Sequence, residues 1–427
     1  MDGRDMNGRE VTPGSALSYW IKLGFTSFGG PAGQIAMMQH ELVDRRAWID
    51  QGTFLRGLNY CMLLPGPEAQ QLATYIGWRL HGTWGGVLAG AAFVIPGALL
   101  MIFLAWVAAA HGDAAVIAAA FAGIKPVVIA IVAHAVWRIG KRTITTVSAA
   151  ALAAAAFIAI YFAGLPFPLI VLAAGLIGVV LARNKPAATD DAPETTPETA
   201  TGGGRRLVVL FTVCIALWAA PVAAIVFIGG ETFLDVAALF TTAAFVTFGG
   251  AYAVLPYIAD AGVVVHGWLT PANMIDGLAL AETTPGPLIL VTTYVGYFAG
   301  WNSTATGLGQ GAAAILAAGL ATWMTFLPSF LFILAGAPYI ERLQSNRLAR
   351  GALTAITAAV VGVIINLMVF LATAVFLPST GIAWEAIVGM IISFALLMTG
   401  RLSVPALVAI GLAIGIGVHL VPWQFGA

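Results

Sequence analysis

Apolar stretches of roughly twenty residues, long enough to cross a bilayer as helices, recur along nearly the whole chain. In the first part they fall at about 15–38, 53–77, 84–110, 115–138, 145–163 and 166–182. A polar run follows at 183–206, reading R-N-K-P-A-A-T-D-D-A-P-E-T-T-P-E-T-A-T-G-G-G-R-R. Its Pro, Thr, Gly and charge content cannot bury a core, so a disordered cytoplasmic linker is expected there. One unmatched apolar helix is expected at about 207–228, within a unit 207–230. Six more elements are expected at about 235–257, 272–299, 306–334, 350–377, 384–399 and 402–421. The pattern predicts an all-α polytopic membrane protein with about 13 apolar segments and about 11–13 spans. The span count is open because the first element and the Pro-Gly-Pro segments can either span or re-enter.

Inside this pattern one stretch recurs. Residues 25–31 read F-T-S-F-G-G-P, followed by W-I-D and then G-L-N-Y-C-M-L-L-P-G-P; residues 245–251 read F-V-T-F-G-G-A, followed by W-L-T and then G-L-A-L-A-E-T-T-P-G-P. Phe25/Phe245, Gly29/Gly249, Gly30/Gly250, Trp48/Trp268, Gly57/Gly277 and Pro65/Pro285 all keep one constant spacing. So many Gly, Pro and Trp in one register mark a duplication, with repeats at 1–182 and 231–427. Two six-element units joined directly would point the same way. The single helix between them turns the second over, which predicts an inverted repeat.

Each repeat carries breaks inside apolar segments. Proline lacks an amide hydrogen and clashes with the preceding turn, so backbone groups lose their partners there. In hydrocarbon such groups are tolerated only in protein or beside a wet cavity. Matched interrupted segments in two halves point to a transporter's binding site; a kink that merely shapes packing is the alternative.

The 427 residues are 60% hydrophobic and 9% charged, against about 25% charged in soluble proteins. That low charge points to the lipid bilayer as partner, and Lys+Arg and Asp+Glu, at 19 each, argue for neither nucleic acid nor an acidic partner. Cys61 and Cys214 lie in apolar runs and imply no disulfide framework. The N-terminal stretch up to the first apolar element is polar, with no apolar region typical of a cleaved signal peptide.

Short loops rich in Lys and Arg face the cytoplasm. That places Arg138, Lys141, Arg142, Arg183, Lys185, Arg205, Arg206, Arg342, Arg347, Arg350 and Arg401 inside, and the loops near Gly164, Glu231 and Glu385 outside. With thirteen spans the N-terminus is inside and the C-terminus outside. Arg45 and Arg46 disagree, facing outward beside Glu41, Asp44 and Asp50, unless the segment near Pro65 is a re-entrant hairpin.

The motifs F-G-G-P-A-G-Q-I-A-M-M and L-P-G-P-E-A-Q-Q-L-A-T-Y-I-G-W, with F-G-G-A-Y-A-V-L-P-Y and T-P-G-P-L-I-L-V-T-T-Y-V-G-Y in the second half, resemble the chromate ion transporter family, in its long two-domain form. The resemblance covers nearly the whole chain. It implies efflux of chromate, with sulfate as an isosteric partner anion, across a bacterial inner membrane as a multi-pass protein, giving chromate resistance.

A tetrahedral dianion needs donors and positive potential, which helix N-termini supply. Gly29 and Gly30, with Gln34 one turn on, suit this role; Gly249 and Gly250 suit it less, because Ala251 replaces the proline. Gly66 and Gly286 of the Pro-Gly-Pro breaks join them as candidate binding positions. Ionisable groups inside spans are functional candidates by default. Lys125 stands near the middle of the fourth element as an anion ligand, with snorkelling the alternative. Lys22 lies about two turns before Gly29, and Arg79 at an interface. His134 and Asn366 match at an offset of 232 and are expected to hydrogen-bond between helices. Glu68 starts a half-helix, where capping competes with function. Glu282 ends one, where the dipole and burial favour its protonated form, making it the better proton-coupling candidate.

No catalytic set, metal-ligand spacing or nucleotide-binding loop is present in the sequence, so no enzyme activity, metal or cofactor is expected. Transport must then draw on ion or potential gradients. A sulfate or small-anion carrier and an anion channel are the competing readings. Assembly is left open, a homodimer being one option.

Overall fold

The computed structural model describes residues 6, 8–28, 30–184, 203–228, 230–303, 307–340, 346–378 and 381–420. Gly29, Arg342 and most of the expected linker, including Lys185, lie outside the described residues. Among the described residues all regular structure is helical and no strand occurs.

The chain opens with a hairpin. Thr12 caps α1 (Pro13–Thr26) by accepting the Ser15 amide. Beyond Thr26 the chain resumes as α2 (Gly30–Gln39) and a π turn, His40–Arg45. Gly30 takes φ +72°, a conformation cheap only for glycine, and Pro31 suits the first turn. The ring of Tyr19 lies 5.7 Å from that of Trp48, and the Met6 amide donates to the Ala47 carbonyl at 2.9 Å. The chain therefore returns to the end from which α1 departs.

A second hairpin follows. Asp50 accepts the Thr53 amide at 2.8 Å and starts α3 (Gln51–Cys61); its bonds to Thr53 hold its carboxyl below the usual range. The next helix, α4, runs Glu68–His111. A Cβ on Gly57 would collide with the ring of Tyr75, although a straight helix would separate the two by about 27 Å at 1.5 Å per residue. The segment at 53–77, left open between a span and a re-entrant hairpin, thus folds as a hairpin with Pro65-Gly66-Pro67 at its tip. The prolines supply no amide hydrogens, and Gly66 takes φ +122°, which lets the chain reverse.

At His81 and Gly82, with φ +64° at the glycine, α4 folds into two arms. The arms, 68–80 and 83–111, pack backbone to backbone: a Cβ on Gly77 would strike the Gly85 carbonyl, and one on Gly85 the Gly77 carbonyl. His81 Nε2 lies 2.7 Å from the Val11 carbonyl, so the turn sits at the same end as the N-terminal hairpin. Arg45 and Arg46 share that end. Glu41 takes both, at 3.0 and 2.6 Å; Asp50 and Asp44, also expected to neutralise them, instead cap α3 and stand beside His40.

The same construction recurs at the matched positions of the second repeat. α9 (Glu231–Val246) breaks at 247–250, then passes through a 3-10 turn, α10 (Leu255–Ala259) and a π turn, Asp260–Val265. His266 stands 3.6 Å from Asp235, closing that hairpin. Thr270 and Asn273 form a capping box on α11 (Pro271–Thr283). Pro285-Gly286-Pro287 turns the chain into the 3-10 turn Leu288–Leu290 and α12 (Val291–Trp301). A Cβ on Gly277 would stand 2.5 Å from the Tyr294 ring, so these arms also lie side by side.

Around the hairpins stand α5 (Ala115–Thr143), α6 (Val147–Tyr161), α7 (Phe167–Asn184), α8 (Gly203–Ile228), α13 (Gln310–Gly336), α14 (Arg347–Phe376), α15 (Trp384–Met398) and α16 (Val404–Leu420). The halves clasp each other: α5 packs on α15 and α16, and α14 packs on α6 and α7. Close approach uses glycine, since a Cβ on Gly123 would strike the Gly411 carbonyl and one on Gly362 that of Ala153. Small residues at helix crossings do this work in membranes, where apolar surface alone gives no preference for protein over lipid. Among the described residues five helical segments, Glu68–His111, Ala115–Thr143, Leu207–Ile225, Gln310–Tyr339 and Arg347–Phe376, are long and apolar enough to cross a bilayer. Shorter apolar helices accompany them, and the whole is a multi-pass membrane protein.

Candidate functional site

The hairpin tips meet at the centre, each against the opposite half. Gly66 donates its amide to the Thr247 carbonyl at 2.8 Å; Gly286 donates its own to the Ser27 carbonyl at 3.2 Å and the Ser27 hydroxyl at 3.1 Å. Thr247 and Gly286 occupy the positions in the second repeat that Ser27 and Gly66 occupy in the first, so the two contacts are counterparts. Gln34 adds bonds from its amide nitrogen to the Ser27 carbonyl at 3.0 Å and the Gly286 carbonyl at 2.6 Å. Ser27, Gln34 and Thr247 are wholly buried. The donors of Gln34, Gly66 and Gly286, expected to face an anion, are here committed to joining the tips. Gly249 and Gly250, with φ +82° and +96°, enter a 3-10 turn, Ala251–Ala253, where Gly30 enters α2 directly.

Two carboxylates flank the junction differently. Glu68 is half-buried at the start of α4, and a Cβ on Gly250 would stand 3.8 Å from its Oε1. Glu282 is buried near the end of α11 and accepts a hydrogen bond from the Tyr252 hydroxyl. Cations of α5 lie opposite: the field of Arg142 reaches Glu68, and that of Arg138 reaches Glu282 and Tyr252.

Lys125 is half-buried, and its field reaches Asp276 on α11 of the other half. Asp276 is 5% exposed; its Oδ1 and the Tyr294 hydroxyl have no hydrogen-bond partner among the described residues. Sequence reasoning passed over Asp276 and Tyr252. The available signal was N-M-I-D-G-L-A-L-A-E, which sets two carboxylates in one apolar run.

Other expected residues lie apart. Lys22 is exposed on α1. Thr357, the counterpart of Lys125, lies near Gly249, 3.5 Å from a Cβ built there. His134 and Asn366 make no hydrogen bond among the described residues, against the expected interhelical pairing; each is half-buried on adjacent helices. Asn366 instead lines a cavity of about 250 Å³ with Tyr161, Asp260 and Thr373.

The family model for chromate transporters matches residues 15–179 and 234–416. A chromate transport protein of Pseudomonas aeruginosa is 34% identical over 357 residues, covering 81% of this chain and 77% of that protein. One of Cupriavidus metallidurans is 26% identical over 407 residues, 94% of this chain and 92% of its own. An uncharacterized transporter of Methanocaldococcus jannaschii is 25% identical over 402 residues, 92% of each. No solved structure matches the chain.

Proposed function

This chain belongs to the chromate transporter family, and on that premise we propose that it exports chromate from the bacterial cytoplasm as a secondary transporter of the inner membrane. The observation that carries the reading is the crossed pair of tips, Gly66 on Thr247 and Gly286 on Ser27. Two barriers built from opposed halves suit alternating access, in which one pair opens while the other stays shut.

The hairpin geometry supports an inverted repeat. With four hairpins returning to their own end and α4 (arm 83–111), α5, α6, α7, α8, α13, α14, α15 and α16 crossing, Arg45, Arg46, Arg79, Arg138, Arg142, Arg347, Arg350 and Arg401 share one side. That side is cytoplasmic by the distribution of positive charge, and the second half's hairpins then enter from outside. Chromate leaving an inside-negative cell gains about 2.3 kcal/mol per charge per 100 mV. Glu282, held by Tyr252 and facing Arg138, is the proton-coupling group in this reading, and Lys125 the anion's cation.

Everted membrane vesicles with labelled chromate test it: saturable chromate accumulation above a transporter-free control is expected. Equal accumulation in both preparations would reject the reading. Preferential accumulation of labelled sulfate would move the substrate to that anion.

A further inference from the structure

The two tips share a backbone plan but not a chemistry. After Pro65-Gly66-Pro67 the motif T-Y-I-G stands at 74–77; after Pro285-Gly286-Pro287, T-Y-V-G stands at 293–296. Aligning these motifs sets Gln70 and Gln71 against Ile289 and Leu290. On the facing helix, at the offset of 232, Ser329 of α13 matches Gly97 of α4.

Contacts bear the pairing out. A Cβ on Gly66 would strike the Ser329 hydroxyl and stand 2.7 Å from Gln71 Nε2, whereas one on Gly97 would strike the Pro285 carbonyl and stand 2.6 Å from Leu290. The first tip is polar where the second is aliphatic. It also opens directly into a helix, α4 at Glu68, while the second enters a 3-10 turn.

Gln70, Gln71 and Ser329 are at most 1% exposed. Gln71 donates to the Pro65 carbonyl at 2.7 Å and Gln70 to the Thr74 hydroxyl at 3.0 Å, which fixes how each amide points. Both glutamine Oε1 atoms and the Ser329 hydroxyl are then left without a partner. A buried polar group left unpaired is costly; Gln71 and Ser329 meet at Gly66, and an acceptor beside a hydroxyl there asks for a ligand bearing both donors and acceptors.

Resting on the chromate-transport reading above, we propose that the first tip, once withdrawn from Thr247 and so freed of the close contacts at Gly66, binds a tetrahedral oxyanion that carries one proton, hydrogen chromate. Ser329 and the first-turn amides of α4, which have no partner within the helix, donate to its bare oxygens. The carbonyl of Gln71 accepts its single O–H. When the tip withdraws from Thr247, the Gly66 amide joins the donors. Sulfate has the same shape but holds no proton near neutral pH, so it leaves that carbonyl unpaired and facing its charge. Sites built for a substrate hydroxyl reject analogues lacking it by large factors for this reason.

The titratable and charged groups around the cluster are Glu68 on its own helix, Tyr60 and Cys61 on α3, and Arg142 on α5. The experiment is equilibrium binding of labelled chromate to the purified full chain between pH 6 and 8, with sulfate as competitor. Above the anion's own pKa each pH unit lowers the protonated fraction tenfold, so wild-type affinity is expected to fall at least about tenfold across the range. Sulfate is expected to compete at least about 100-fold more weakly than chromate. Gln71→Leu should narrow that discrimination, Ser329→Ala should weaken both anions, and Thr292→Val in the second half should change neither. Glu68→Gln should keep the pH dependence.

Affinity that rises or stays flat with pH, sulfate competing equally, or a pH dependence lost in Glu68→Gln would each overturn the proposal, and the first two need no variant to fold. If chromate fluxes in vesicles but binds independently of pH, only this proposal fails. If wild type neither binds nor moves chromate, the transport reading fails with it.

Discussion

The amide of Gly66 donates to the carbonyl of Thr247 at 2.8 Å, a bond between opposite halves whose counterpart joins Gly286 to Ser27 at 3.2 Å. Neither tip can withdraw without stranding a buried backbone donor, at about 1–3 kcal/mol unless water or ligand replaces the partner. That is large enough to hold a gate and small enough for a substrate to release it.

The two glycines should not tolerate substitution equally. Both have positive φ, which costs a side chain on the order of 1–3 kcal/mol. Gly66→Ala adds a collision with Ser329 and a 2.7 Å approach to Gln71; Gly286→Ala meets the flexible end of Leu290 at 2.9 Å. Thermal unfolding in detergent should rank wild type above Gly286→Ala above Gly66→Ala. A Gly66→Ala protein as stable as wild type would mean that the tip is not packed in this way.

Glu282 and Tyr252 should act as a pair. Glu282→Gln mimics a permanently protonated carboxyl, so downhill chromate exchange should persist while its response to an imposed pH gradient disappears. Tyr252→Phe, which removes the hydrogen-bond donor, should alter that response without abolishing exchange. Wild-type flux indifferent to the pH gradient would leave electrical driving alone; a response flattened by Glu68→Gln and not by Glu282→Gln would assign coupling to the other carboxylate.

Lys125→Ala is expected to abolish chromate export while leaving protein in the membrane. Because Lys125 acts on buried Asp276, the loss has a second component, an uncompensated carboxylate. Lys125→Ala with Asp276→Asn should recover expression and thermal stability but not export. The coupling between the two sites should lie at about 0.5–3 kcal/mol. Wild-type flux in the single variant would remove Lys125 from the anion path.

Much of this arrangement was legible in the sequence. Gly-Gly and Pro-Gly-Pro in one shared register located the four tips, and the W-I-D and W-L-T stretches mark the caps Asp50 and Thr270. Hydropathy could not separate a span from a hairpin, because 53–77 has the same apolar length either way; the misplaced Arg45 and Arg46 were the available sign. Pairings set by packing were not legible either. Gln34 reads as a free amide until Gly286 is brought to it from the other half. His134 and Asn366 read as sites of hydrogen bonds between helices because alignment gives equivalence, not contact. Asp276 gains its importance only when α11 lies beside α5.

The opposed orientation of the halves can be read by labelling. Asp44 and Val264, counterparts in the two repeats, are both exposed. In a background lacking Cys61 and Cys214, Asp44→Cys should react with an impermeant thiol reagent only from the cytoplasmic face, and Val264→Cys only from outside. Reaction of both from one face would end the inverted-repeat assignment.

Chromate counterflow in proteoliposomes tests the carrier account most directly. Vesicles preloaded with unlabelled chromate, then diluted into trace labelled chromate, should accumulate label transiently above equilibrium, because tips that open one at a time exchange anion for anion. Monotonic equilibration with no overshoot, accompanied by large ohmic chromate currents, would contradict it and make the crossed tips the gate of a channel.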